Sequence, residues 1–207
     1  MDEPTSRMLH ANPLVAVVDG FLPAASCSEL IALAQGRTRR AEAGTDEAVL
    51  EISDERTNSA FDVAPSAEPA VAAVMQRLAQ VLRLPMGHGE GLSILHYRPG
   101  EEFTPHVDGI WSGAAEEVRA AFEADGGQRL FTAMVYLNAV EAGGGTAFPE
   151  LDLSVDPAPG RLLIFANTQA GERDVTPLSI HAGLPVHAGE KWAAVSWWRE
   201  RPFGVAA

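Results

Sequence analysis

Hydrophobic positions recur along this chain in two rhythms, and the change between them near residue 92 organises everything that follows. Upstream, "SAEPAVAAVMQRLAQVLRLP" sets Val71, Val74, Met75, Leu78, Val81 and Leu82 at helical spacing, with Ser66 placed to cap and Pro69 in the first turn. Met75 on that stripe is expected in the core. "LVAVVDGFL" predicts a strand running into a turn. "SCSELIALAQG" predicts a helix in which Ser26 and Glu29 form a capping box and Gly36 marks the stop. Downstream the runs shorten. "LSILHY", "RLFTAMVYLN", "GRLLIFAN", "LSIHAGLPV" and "KWAAVSWWRE", separated by Gly, Pro and Asp, predict strands. Between the first two, "AAEEVRAAFEA" (114 to 124) predicts a short helix ended by Gly126 and Gly127. Helices followed by a run of strands predict an α+β domain, an antiparallel double sheet or jelly roll buttressed by N-terminal helices.

Composition narrows the picture. With 207 residues and 46% hydrophobic content, the chain can bury a real core as one domain over 1–207. Its helical support is expected over about 1–90 and its jelly roll over about 91–203. No run approaches the roughly 20 apolar residues of a membrane span, and "MDEPTSRMLHANPL" lacks the order of a signal peptide, so no membrane partner and a cytoplasmic location are expected. The single cysteine, Cys27, excludes an internal disulfide and a cysteine-based zinc finger, and suits a reducing compartment. A net charge of -13 argues against nucleic acid as a partner. The one basic cluster, "RTRR" at 37 to 40, stands just past a helix end, where cations complement the macrodipole.

Candidate chemistry gathers in "HYRPGEEFTPHVDG". His106 and Asp108 are two residues apart, so on a strand both point to one face and can grip one ion. Such a pair also occurs in ordinary solvated turns. A third ligand is needed, from His10, His88, His96, His181 or His187. His181 is best placed, at the end of the strand in "LSIHAG"; His10 and His88 lie in segments expected to be flexible, and His96 faces away from its neighbour Tyr97. Two histidines and one carboxylate leave positions open on an octahedron, a set suited to Fe(II). Lys191 opens the apolar strand "KWAAVSWW", where burying its charge is costly unless an anion pairs with it; its amine could instead reach water. Tyr97 and Thr146 could add hydroxyl donors for the same anion. Trp111, on the loop past Asp108, is either a substrate-facing lid or a surface contact.

"HYRPGEEFTPHVDG", "GGQRLFTAMVYLNAVEAGGGTAFPE", "PAPGRLLIFAN" and "SIHAGLPVHAGEKWAAVSWW", in this order, resemble consecutive blocks of the prolyl 4-hydroxylase-like Fe(II)/2-oxoglutarate-dependent dioxygenases, and "VVDGFLPAASCSELIALA" is similar to that family's first strand and helix. The resemblance covers about residues 15 to 203. It implies a double-stranded β-helix, a cupin-like jelly roll, in which His106, Asp108 and His181 hold Fe(II) and Lys191 pairs with the distal carboxylate of 2-oxoglutarate. It further implies that Tyr97 hydrogen-bonds this cosubstrate, Thr146 lies near its distal end, and Trp197 lines the same pocket. Arg129 matches an arginine at the pocket mouth. Arg56 and Thr57, in "DERTNSAF", match a segment bordering the substrate groove, with loop hydrogen bonding as the alternative. One departure stands out: Phe103 occupies a place where the family commonly has a second tyrosine. The implied reaction consumes 2-oxoglutarate and O2, with ascorbate as reductant, hydroxylates an unactivated C–H bond and releases succinate and CO2. Its expected substrate is a prolyl residue of a peptide or protein; the alternative is a free amino acid or small biosynthetic intermediate. Asp108 disfavours halogenation, since related halogenases carry a small residue there. A non-catalytic jelly-roll module and a zinc hydrolase are the readings from other classes, and no carboxylate is clearly placed as the hydrolase's general base.

Overall fold

Near-continuous apolar runs such as "LLIFA" let one sheet bury both of its faces, and that sheet is the frame of the molecule. A computed structural model describes residues 4–44 and 50–204. Its first half contains β1 (Thr5–Ala11), β2 (Leu14–Asp19), α1 (Ala24–Ala34), β3 (Arg39–Arg40), β4 (Ala43–Gly44), β5 (Leu50–Glu51), β6 (Ser59–Val63) and α2 (Pro69–Leu82). The second half adds β7 (Leu92–Tyr97), β8 (Phe103–His106), α3 (Glu116–Ala124), β9 (Arg129–Tyr136), β10 (Ala142–Gly143), β11 (Thr146–Phe148), β12 (Leu153–Val155), β13 (Leu162–Ala166), β14 (His181–Gly183), β15 (Val186–Ala188) and β16 (Lys191–Arg199). The main sheet has the order β1-β2-β13-β9-β16-β7-β6-β3, and a smaller one has the order β12-β11-β14-β8. The pairs are antiparallel, for example Lys191 opposite Tyr97 and Val195 opposite Met134.

Side chains leave each strand alternately, so the main sheet has two different faces. Ile94, Val135, Ile164, Ala194 and Trp198 face α1 and α2, where they form one core with Leu30, Met75 and Leu78. Their neighbours Leu95, Tyr97, Met134, Tyr136 and Val195 face the small sheet and meet Phe148 and Val155 there. This is the expected antiparallel double sheet buttressed by helices, with Met75 fully buried.

Three expectations need correction. The N-terminal region is more than helical support: β2 pairs with β13, β6 with β7 and β3 with β6, so it completes the main sheet. The apolar run "LVAVVDGFL" predicts only the first of these strands. Neither predicted cap forms. Helix α1 begins at Ala24 after Pro23, before Ser26 could cap it, and α2 begins at Pro69 after Glu68; neither Pro23 nor Glu68 makes a side-chain cap bond. In α2 the proline-set backbone of Pro69 starts the first turn instead, while in α1 the extended Pro23 precedes it.

Candidate active site

Strand pairing in the small sheet brings the first two histidines together. His181 on β14 lies opposite His106 on β8, with ring centroids 4.3 Å apart. Each ring is oriented by a carbonyl that can only accept: Nδ1–H of His106 donates to the Thr104 carbonyl at 2.8 Å, and that of His181 to the Ser179 carbonyl at 3.0 Å. The Nε2 lone pairs are thereby left for a third party. Asp108 completes the set, although not by the route that strand periodicity predicts, because β8 ends at His106. The carboxylate lies beyond the strand and is turned inward by contacts from β9. Thr132 donates to its Oδ2 at 2.6 Å and Arg129 donates to its backbone carbonyl at 3.2 Å.

One donor atom from each of His106, Asp108 and His181 lies within 4.8 Å of the others, the one such grouping among the described residues. Burial, reinforced by the neighbouring His181, drives the His106 pKa well below its usual value and keeps the ring neutral. Burial works against ionisation of Asp108, but His181, His106, Arg129 and the Thr132 hydrogen bond outweigh it and hold the carboxyl below the usual carboxylate range. A neutral imidazole at His106 and an ionised carboxylate at Asp108 are the protonation states in which these two groups bind a metal. Rings of Phe103, 3.5 Å from His106 between centroids, and Phe165, 4.5 Å from His181, limit side-chain movement. The donor set fits Fe(II) or another divalent first-row ion.

A narrow pocket beside this cluster is also lined by Tyr97, Thr146, Lys191 and Trp197, so the structure brings together all four residues expected around the cosubstrate. Lys191 is 1% exposed and has no ion pair or hydrogen bond among the described residues; burial alone lowers its pKa to about 7. Its amine lies over the Tyr97 ring at 4.7 Å, which favours the charged form. This is a buried cation lacking its anion. A dicarboxylate such as 2-oxoglutarate fits the pocket's chemistry, with one end at the metal donors and the other at Lys191. Burial pushes the Tyr97 hydroxyl up to about 12, so it stays a donor at neutral pH.

A groove of about 1610 Å³ adjoins the pocket, and Arg56, Phe103, His106, Asp108 and Trp197 line both. The candidate substrate residues divide here. Trp111 is 39% exposed and lines the groove, a placement compatible with both readings of it, lid and surface contact. Arg56 lies on the groove with its guanidinium 4.8 Å from the Phe103 ring centroid, while its nitrogens donate to Asn58 and to the Glu42 carbonyl. Arg129 also lines the groove, but its guanidinium is held in bidentate fashion by Glu90 at 2.6 and 2.7 Å and stacks over Trp197. Its donors are used to orient the site. Thr57 lines neither cavity; its hydroxyl bonds the backbone of Glu102, the loop-bonding alternative.

The other histidines stay out of the cluster. His96 stacks on Trp192 and meets Glu190 at 3.0 Å. His187 is exposed. Contrary to expectation, His10 lies within β1 and bonds the Pro13 carbonyl, while His88 is tied to the Arg199 carbonyl; both sit in defined structure. Sequence reasoning missed Thr132 and Tyr136. Both stand on the site-facing side of β9, and their alternation with Ala133 and Val135 was the available signal. The Tyr136 hydroxyl lies 2.7 Å from that of Thr146 and 3.1 Å from the Val155 carbonyl, tying Thr146 to the sheet behind it.

A family model described as the 2OG-Fe(II) oxygenase superfamily matches residues 92–199. The chain belongs to this superfamily. Prolyl 4-hydroxylase 2 of Arabidopsis thaliana is 32% identical over 92% of this chain and 69% of its own length, and prolyl 4-hydroxylase 5 of the same plant is 30% identical over 96% and 72%. The crystal structure of a viral collagen prolyl hydroxylase from Paramecium Bursaria Chlorella virus-1, a 2OG complex, is 26% identical, superposes with a TM-score of 0.68 and covers 88% of this chain and 94% of that one. A Trichoplax adhaerens prolyl hydroxylase in complex with a peptide fragment, at 17% identity and TM-score 0.64, shares the fold. The double sheet is therefore the double-stranded β-helix of this family. The chain is an Fe(II)- and 2-oxoglutarate-dependent dioxygenase of the prolyl 4-hydroxylase-like kind.

Proposed function

We propose that the enzyme hydroxylates a prolyl residue within a peptide or protein chain, with His106, Asp108 and His181 as iron ligands. The observation that carries the substrate class is the shape of the approach: His106 and Asp108, two of the three donors, line an open groove of about 1610 Å³, room for an extended segment rather than an enclosed amino acid. Relatives named as prolyl 4-hydroxylases and a collagen prolyl hydroxylase support the same choice. A cytoplasmic location, fitting the lone buried Cys27, belongs to the proposal too.

When bound, iron and 2-oxoglutarate supply the oxidising chemistry that places one atom of dioxygen on a C–H bond and the other in succinate. The protein supplies placement. Lys191 receives the distal carboxylate in a site too dry for water to compete, and the hydroxyls of Tyr97 and Thr146 donate to cosubstrate oxygens. Arg56 and Trp111 border the peptide, and Arg129, fixed by Glu90, keeps the Asp108 backbone in place. Among the described residues Asp108 is the only carboxylate lining the narrow pocket, and as a proposed ligand it leaves no second one there to serve a hydrolase as general base.

Under anaerobic conditions, Fe(II) with 2-oxoglutarate should produce a visible charge-transfer band, and admission of oxygen with ascorbate should yield succinate. Asp108→Ala should reduce succinate to background. A wild-type protein giving neither signal would sink the oxygenase assignment. Mass spectrometry of proline-containing peptides should then show a gain of one oxygen; a gain confined to free amino acids would overturn the peptide assignment.

A further inference from the structure

Asp108 is the one proposed ligand that no strand pairing holds, yet its carboxylate is the most closely tied of the three. Thr132 reaches Oδ2 at 2.6 Å, and the Thr132 oxygen is in turn 3.1 Å from Nδ2 of Asn167, at the start of the loop after β13. The chemistry gives this chain one direction. An ionised carboxylate only accepts, so the single Thr132 proton goes to Asp108, and the Thr132 oxygen must then accept from an amide N–H. That orientation leaves Oδ1 of Asn167 buried without a partner among the described residues. An amide held with an unpaired oxygen is constrained by something stronger than its own hydrogen bonding. The constraint is visible in the backbone: Asn167 donates to the Leu130 carbonyl at 2.9 Å, and its carbonyl accepts from the Thr176 N–H at 3.0 Å. Asn167 and Thr132 are 0% and 2% exposed, and neither has a place in the reaction described above.

We infer that Asn167 and Thr132 form a one-way hydrogen-bond relay that positions the Asp108 carboxylate and thereby sets how tightly the centre holds its metal. Asn167 acts through Thr132, and both are positioning residues. The relay locks one carboxylate oxygen and leaves Oδ1 with no hydrogen bond among the described residues. Pre-orienting a ligand in this way removes an ordering cost that metal binding would otherwise bear.

The inference rests on the metal-centre reading, and its test separates the two. Mn(II) affinity is measured on the metal-free full chain by the loss of the free-ion paramagnetic resonance signal, beside the melting temperature without metal. Thr132→Val should weaken Mn(II) binding roughly 10- to 100-fold, while Thr132→Ser, which keeps the hydroxyl, should restore it to nearly the wild-type value. Asn167→Ala should weaken it less, and the double variant should bind no worse than Thr132→Val alone, because a relay cut once cannot be cut again. Unchanged affinity in Thr132→Val, equal losses in the Val and Ser variants, or fully multiplying effects in the double variant would overturn the relay. A wild-type chain that fails to bind Mn(II) would remove the metal centre itself, and the relay with it.

Discussion

The two faces of the main sheet are cut from the same strands and obey opposite rules. On the face toward α1 and α2, Ile94, Val135, Ile164, Ala194 and Trp198 close an apolar core. One residue along each of three of these strands, the opposite face carries Thr132 and Tyr136 on β9, Tyr97 on β7, and Lys191 on β16, all at most 3% exposed. The first face gains stability from the apolar surface it buries. The second holds polar groups dry at a cost, and what it gains is a charge and a set of donors waiting for a ligand. Stability and function are thus divided by the pleat of a single sheet.

The sharpest way to break that comparison is Lys191→Met, which preserves the stem and removes the charge. Separating a buried pair costs about 3–5 kcal/mol, so the dissociation constant for 2-oxoglutarate should rise roughly 100-fold or more. The ligand-free protein should melt at a higher temperature, since an unpaired buried cation has gone. Calorimetric titration and thermal unfolding check both. A lower melting temperature would mean that Lys191 has an internal partner and belongs with the stabilising face.

Leu78→Ala makes the converse case. Leu78 is 1% exposed in the helix-backed core, so truncation should destabilise the fold by about 2–5 kcal/mol. Chemical denaturation measures the loss. The affinity of the folded fraction for 2-oxoglutarate should be unchanged; a parallel fall would show that the two faces are coupled and the division is false.

How much of this could be read from the sequence follows the same division. Longer apolar runs bounded by turn residues, such as "LSILHY" and "KWAAVSWW", announce themselves, and the α2 stripe ending in Leu82 matches the helix found at Pro69–Leu82. The small sheet is different. Strands β11, β12 and β14 are three residues long, too short for any period, so His181 was reached through its turn context and the family resemblance. Asp108 was placed correctly by an argument that does not hold, because tertiary hydrogen bonds and not a strand turn it inward. Arg129 was legible as a residue of the pocket mouth, but its pairing with Glu90, 39 positions away, left no local trace. Thr57 fell to its loop role because its hydroxyl satisfies Glu102, 45 positions distant. Pairings at that separation depend on the closed fold.

The most gradual of the expected effects is graded by pH, small near neutrality and growing with each unit above it. Burial lowers the Lys191 pKa to about 7 in the ligand-free enzyme, while an unfolded lysine titrates near 10.4. Between these values the unfolded chain binds the extra proton, so ligand-free stability should rise with pH from about 7 to about 10. Binding of a dicarboxylate has the opposite sign. The anion restores the protonated amine, so above pH 7 the enzyme must take up a proton when 2-oxoglutarate binds, and affinity should be full below about 7 and fall about tenfold per unit above it. Calorimetry on the Mn(II)-loaded enzyme under argon, at pH 6.5 to 9.5 in steps, checks the slope. Lys191→Met should lose this slope while retaining whatever dependence the remaining groups confer. Identical profiles in the two proteins would show that the lysine stays charged without its ligand, and that the site-facing side of the sheet bears less cost than its burial implies.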